Sequence, residues 1–230
     1  FVMNPTLDNY KAILNTVDTL GVPFTRYIFN AVFTTLVGTA VYLLLALITA
    51  YPIAKSKIRA VKILNVALVY AMLFHNDTMA LVRFLVMSKM RIVDTYMAVI
   101  LPNLASTMGI YLLVQFMRNS VPDSVLEAAR IDGAGEFRIL FSIVAPSVKA
   151  GWLTAMIFVF QSYWNAGSGS YIYSENLKHI ATVMSSIAGS GITRAGTGMA
   201  VTIVLMVPTI VVFLWNQRSI MNTMAHSGLK

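Results

Sequence analysis

Few side chains in this 230-residue chain are equipped for chemistry, and they fall into three groups. His75, Asn76 and Asp77 interrupt a stretch, Ile63 to Val82, that otherwise has no charged residue. An Asp in hydrocarbon costs about 2.5 to 3.5 kcal/mol on insertion scales, so one retained there either lines a polar translocation path or marks a structural break in a helix. Tyr163, Trp164 and Asn165 form the second group and run into Ala166-Gly167-Ser168-Gly169-Ser170. Two aromatic rings beside an amide either stack on and hydrogen-bond to a sugar, or belong to the aromatic belt of an outer membrane interface. The third group is the run Glu127-Ala128-Ala129-Arg130-Ile131-Asp132-Gly133-Ala134. No catalytic constellation accompanies them. His75, His179 and His226 are far apart and have no metal-ligand partner three or four residues on. Zero cysteines exclude a disulfide framework, Cys-ligated zinc and iron–sulfur clusters. No GxxxxGK[ST] phosphate loop is present, so the chain is not itself an ATPase. The 14 Met residues read as gap-filling between helices.

The elements that position these groups follow from composition. The chain is 57% hydrophobic and 11% charged, with a mean hydropathy of +0.73, against about 25% charged residues in an ordinary soluble domain. Charge-free runs at Tyr27 to Ala54, Thr95 to Met117, Ala150 to Ser174 and Ala195 to Gln217, with Ile63 to Val82, are each long enough to cross a bilayer. They lack the alternation of barrel strands, which predicts an all-α integral membrane protein with five crossings. Ten Lys and Arg fall on the side holding Lys55 to Lys62, Arg118 to Lys149 and the carboxy terminus, against seven on the other. The positive-inside rule places that side, with Lys57 and Gly228, in the cytoplasm, and Asn9 and Glu175 outside. The net charge of +8 serves this orientation and gives no reason to expect nucleic acid as a partner. The expected layout is one integral membrane domain. Residues 1–26 are a polar external segment, 27–117 three helices, 118–149 a cytoplasmic loop, 150–217 two helices with an external segment at 166–194, and 218–230 a cytoplasmic tail. Phe1 is not an initiator Met and no signal-peptide pattern follows it, so a further amino-terminal helix is expected upstream.

The loop from Arg118 to Lys149 is patterned for structure. Ser120 followed by Asp123 resembles a capping box with Pro122 in the first turn, and Val121, Val125 and Ala129 share a helical face, predicting a helix from about Val121 to Ile131. Gly133 stands where it should stop, and Asp132 is placed to cap a second helix through Phe137, Leu140, Phe141 and Val144. The result is a helix-turn-helix elbow at the membrane surface, with Asp123, Glu127 and Arg130 facing away from the Val stripe. A lipid-lying amphipathic helix fits poorly, because four acids balance four bases across the loop.

With Phe137, Phe141, Ile143 and Pro146, the Glu127 to Ala134 run resembles the EAA loop of ABC-importer permeases, in the form found in the carbohydrate, maltose-type subfamily. Trp164-Asn165 and the tail Ala225 to Lys230 are similar to that subfamily as well. Ala145 stands where the family usually has Leu before the loop proline, and Ala150 where it often has a second proline. The resemblance implies that Glu127, Ala128, Ala129, Arg130, Asp132, Gly133 and Ala134 form a coupling helix seated in a cleft of a cytoplasmic ATPase. It further implies that Ser227, Gly228 and Lys230 reach the ATPase pair, and that the family's sixth crossing is the missing amino-terminal one. The partners so implied are a second homologous permease, two ATPase subunits that bind ATP and Mg, and an extracellular solute-binding protein, with a carbohydrate as cargo and the cell membrane as location. The competing class is a secondary transporter in which His75, Asp77 or Asp94 carries a proton or cation.

Overall fold

The computed structural model describes residues 7–18, 21–73, 80–167, 171–188 and 195–227. Among them every regular element is helical, as the charge-free runs predict. The helices are α1 (Asp8–Asp18), α2 (Phe24–Lys55), α3 (Arg59–Ala71), α4 (Ala80–Lys89), α5 (Tyr96–Leu104), α6 (Thr107–Ser120), α7 (Asp123–Ile131), α8 (Glu136–Ile139), α9 (Ala145–Ser147), α10 (Lys149–Asn165), α11 (Ile180–Ala188) and α12 (Ala195–Ser227). A π-helical segment, Leu140–Val144, lies between α8 and α9, and a 3₁₀ turn covers Glu175–Leu177.

Among the described residues two helices are long and apolar enough to cross a membrane singly, Phe24–Lys55 and Gly196–Gln217. At 1.5 Å per residue the 32 residues of α2 reach about 48 Å, more than the ~30 Å of hydrocarbon. The remaining runs are less regular than their composition suggests. Thr95 to Met117 breaks after Leu104 into α5 and α6, with Pro102 in the last turn of α5 withholding a backbone donor. Ala150 to Ser174 is helical only to Asn165. Within Ile63 to Val82, α3 ends at Ala71 and α4 begins at Ala80; His75, Asn76 and Asp77 lie outside the described residues. In the expected tail, α12 continues through Ser227, while Gly228 and Lys230 lie outside the described residues.

The chain divides into two compact units. One comprises residues 1–38, 82–103 and 160–211. Its core gathers Ile13, Val22, Tyr27 and Ala31 with Trp164, Ile180, Met184, Ile187 and Val201. The amino-terminal segment is thus more than a polar external strand of chain, since α1 buries Ile13 on α11. Within the expected external segment α11 is packed, with Ile180, Ala181, Val183, Met184 and Ile187 all buried. At Gly38 the Tyr163 ring of α10 lies so close to α2 that an added Cβ would stand 2.5 Å from it. The other unit comprises residues 39–81, 104–159 and 212–230 and contains the loop from Arg118 to Lys149. Its buried side chains include Ala46, Leu47, Tyr51 and Ile53 of α2, Leu113 and Met117 of α6, and Leu126, Ile139, Leu140 and Val144 of the loop.

Candidate functional site: a clamped helical elbow

The elbow expected from the sequence forms, with different end chemistry. Ser120 is the last residue of α6 and Pro122 takes the N-cap position of α7, where no side chain caps the helix. Pro is well suited there, since its missing N–H would have had no helical partner. The Asp123 carboxylate accepts instead from Lys55 Nζ at 2.8 Å. The buried face of α7 also differs from the expected Val stripe. Leu126 and Ala129 are buried with Val121 just upstream, whereas Val125 is 44% exposed. Residues 126 and 129 share a face at helical spacing, and the longer Leu126 reaches the core that Val125 points away from.

Asp132 ends α7 as its C-cap rather than capping the next helix. Gly133 follows at φ +79°, its N–H donating to the Arg130 carbonyl at 3.0 Å, and the Ala134 N–H donates to the Ala129 carbonyl at 3.0 Å. This pair of bonds is the Schellman closure of a helix end, which needs a left-handed residue where glycine alone avoids a Cβ penalty. Gly135, at φ −69°, precedes α8, and the chain turns by 84° at Val148 into α10.

Two side chains of α2 hold this elbow. Tyr51 Oη donates to Glu136 Oε2 at 2.6 Å, while Arg130 Nε donates to Glu136 Oε1 at 2.7 Å. Lys55 Nζ donates to the Val121 carbonyl at 2.6 Å as well as to Asp123. Arg118 Nη2 adds a bond to the Ile53 carbonyl at 3.3 Å. The Lys55 ammonium holds the Asp123 carboxyl below the usual carboxylate range. Arg130 first, and the Tyr51 hydroxyl second, hold Glu136 below its usual value, and Glu136 in turn raises the Arg130 guanidinium. Beside these bonds the elbow is partly uncovered. Glu127 is exposed and makes no hydrogen bond or ion pair among the described residues, Ile131 is 86% exposed and Phe137 70% exposed. A cavity of about 580 Å³ lies beside it, bordered by Tyr51, Lys55, Lys57, Glu127, Arg130 and Phe137. The uncovered part of the elbow thus combines one carboxylate with two large apolar side chains.

A depressed carboxylate stabilises above its unfolded value and loses that contribution as pH falls through the folded one. The thermal stability that Glu136→Gln removes at pH 7 is therefore expected to shrink as the pH falls below the ordinary carboxylate range and the parent's Glu136 protonates too. Melting of parent and variant in detergent as the pH is lowered checks this; a constant difference would show that the Glu136 charge does not hold the elbow.

Of the remaining candidates, Tyr163, Trp164, Asn165 and Asp94 belong to the other compact unit. Tyr163 is fully buried and its hydroxyl donates to the Ile100 carbonyl at 2.8 Å. Trp164 stacks on Phe160 at 6.3 Å and its Nε1 donates to the Leu205 carbonyl at 2.8 Å, leaving Asn165 as the exposed member of the three. Asp94, at φ +60°, accepts from the backbone N–H groups of Tyr173 and Ser174 at 2.9 Å each and from the Ser174 hydroxyl. Those bonds, the Ser174 hydroxyl foremost, hold the Asp94 carboxyl low and make it a loop clasp. Segment 175–179 is tied to α2 by Arg26 and Asn30 bonds to the Asn176 carbonyl and by a 3.2 Å Thr34 to His179 contact. Burial pushes the His179 imidazole down. Among the described residues no group of three metal-ligating side chains occurs. Tyr51, Lys55 and Glu136 were not singled out by the sequence; their one hint is that Lys55 and Glu136 are charges flanking apolar runs.

No family model matches the chain. It is 31% identical to the lactose transport system permease protein LacG of Rhizobium radiobacter, over 86% of this chain and 73% of that one. It is 28% identical to the polygalacturonan/rhamnogalacturonan transport system permease protein YtcP of Bacillus subtilis, over 95% and 80%. It is 22% identical to the inner membrane ABC transporter permease protein YcjP of Escherichia coli, over 98% and 80%. Among solved structures, a chain of a bacterial ABC transporter involved in import of the acidic polysaccharide alginate superposes with a TM-score of 0.72 at 21% identity, covering 85% of this chain and 74% of that one.

Proposed function

This chain belongs to the permease family of ABC sugar-transport systems and is a membrane permease subunit of that kind of importer, and from that premise we propose how it works. The elbow formed by α7, the Gly133 corner and α8 is the coupling element, docking through Glu127, Ala128, Ile131 and Phe137 into a cleft of a separate ATPase subunit that binds ATP and Mg. The observation that carries this is what the fixed elbow leaves uncovered. Alongside the bonds that tie Glu136 and Asp123 to α2, Glu127 has no hydrogen bond or ion pair among the described residues, and Ile131 and Phe137 are largely exposed. Isolated surface apolar groups are common, but a contiguous set on a fixed helical corner marks a contact surface. A rigid corner transmits a push that a slack loop would absorb.

In this reading the chain crosses the membrane five times, with Lys57 and the carboxy terminus in the cytoplasm and Asn9 and Glu175 outside. It pairs with a second homologous permease and two ATPases and receives a carbohydrate from an extracellular binding protein. His75, Asn76, Asp77 and Asn165 are the groups on this chain offered to a polar path, with Tyr163 and Trp164 supporting Asn165 from the core. Ser227, Gly228 and Lys230 reach toward the ATPases. The ion-gradient alternative draws no support from Asp94, whose carboxylate is engaged by the 171–174 loop.

Co-purification with transport tests this. Tagged chain expressed with its neighbouring genes should retain an ATPase, and Glu127→Arg should release it at unchanged membrane levels, losing about 1 to 3 kcal/mol of contact. Vesicles should take up a sugar only with internal ATP. Uptake that follows a proton gradient without ATP would overturn the assignment.

A further inference from the structure

Tyr51 and Lys55 are one helical turn apart on α2, yet they grip opposite ends of the elbow. Lys55 takes the entrance, at the Val121 carbonyl and Asp123, and its side chain is only 9% exposed. Tyr51 takes the exit, at Glu136, and is 8% exposed. Residues four apart on a helix point the same way, so one face of α2 carries both grips. α2 and the elbow are far apart in sequence; apart from the apolar burial of Leu126, Ile139, Leu140 and Val144, these bonds are what ties the elbow to α2.

The division of labour on Glu136 is informative. Oε1 is bonded by Arg130, which belongs to the elbow itself, while Oε2 takes its shortest bond from Tyr51 of α2. The first bond shapes the elbow and the second ties the shaped elbow to a long membrane helix. Loss of the Tyr51 hydroxyl would leave Arg130 and Glu136 paired and cut only the tie. Lys55 serves likewise, since the Gly133 corner closes on α7 backbone and owes nothing to it.

We propose that Tyr51 and Lys55 are positioning residues that fasten the elbow to α2, so that movement imposed on the elbow is delivered to α2 as a rigid body. This rests on the coupling role proposed above and adds the element that receives the motion. α2 is suited to that part, being one continuous helix from Phe24 to Lys55 whose one proline, Pro52, stands in its last turn between the two grips and leaves the run from Phe24 to Tyr51 free of proline.

The test uses the assembled transporter in proteoliposomes with partner cysteines replaced. This chain has no cysteine, so a fluorophore on Leu36→Cys, at an exposed site on α2, reports that helix alone. Trapping with Mg-ATP and vanadate should change its emission in the parent. In Tyr51→Phe combined with Lys55→Met, the ATPase stays bound and hydrolyses within about twofold of the parent rate, while the nucleotide-driven change at position 36 falls about fivefold or more. Tyr51→Phe alone should give a partial loss, and Lys55→Arg, which keeps a donor, should restore the response that Lys55→Met removes. A full-sized response in the double variant would overturn the proposal, and so would loss of the ATPase from it, because the two residues would then shape the docking face. A parent complex with no nucleotide response at position 36 despite ATP-driven uptake would mean that α2 does not receive the motion. A parent complex with neither would refute the coupling role itself.

Discussion

Gly133→Val should leave the protein in the membrane at normal levels and reduce sugar uptake by about 100-fold, the scale on which a displacement of an ångström acts in a preorganised site. Gly133 is held at φ +79°, and a Cβ there would meet nothing within 4 Å. The penalty is therefore conformational, about 1 to 2 kcal/mol for a left-handed residue with a side chain and more for a β-branched one. The cheapest relief is to open the Schellman closure, releasing the Gly133 bond to Arg130 and the Ala134 bond to Ala129. That turns α7 relative to α8 and carries Glu127 off its docking position, while the membrane helices keep their burial. Two comparisons isolate the cause. Gly133→Asn, a residue that tolerates left-handed backbone, should retain most uptake. Gly135→Ala should be close to the parent, because Gly135 has an ordinary φ of −69° and open space around it. Parent-like uptake by Gly133→Val, measured beside immunoblots of membrane fractions, would remove the elbow as the coupling element.

Gly38→Val should fail in the opposite way, by loss of the folded protein. Its Cβ would fall 2.5 Å from Cζ of Tyr163, and the ring has nowhere to retreat because Tyr163 is fully buried and bonded to the Ile100 carbonyl at 2.8 Å. Overpacking costs about 1 to 3 kcal/mol, to which loss of a buried hydroxyl's hydrogen bond adds a further ~1 to 3 kcal/mol if the ring is driven out. Membrane accumulation and detergent melting temperature should both drop sharply. Tyr163→Ala opens the space, so the double variant should be more stable than the sum of the two single losses. Additive losses would mean that Gly38 and Tyr163 do not constrain one another.

The parts legible in the sequence are those written in short-range spacing. The elbow, its glycine corner and the helical character of the charge-free runs all depend on residues within one or two turns of each other, where sterics and hydrogen-bond periodicity decide. The end chemistry of α7 was misread because Ser120 and Asp123 have the right spacing for a capping box, but Asp123 has a stronger partner in Lys55, 68 residues away. The same distance in sequence hid Tyr51 and Glu136, which are 85 residues apart. Tyr163 and Trp164 have the composition of a sugar-binding pair, and only the fold shows their polar atoms turned to the carbonyls of Ile100 and Leu205. The burial of α1 and α11 was illegible for a related reason. Each is too short and mixed to advertise a membrane span, and each becomes core only when the other is laid on it.

The π-helical segment Leu140–Val144 bears on how the gene can change length. A π turn holds one residue more than the α-helical ladder around it, and an α-helix advances about 100° for each residue. Removing a single codon between Leu140 and Val144 would let the ladder close as ordinary α-helix, with α8 kept close to its phase. The same deletion in the regular turns of α7, where no extra residue is held, would swing its upstream end by that angle and take Asp123 away from Lys55, although every functional side chain remained in the sequence. The π turn is thus the place where this part of the chain can change length at least cost to the elbow's geometry.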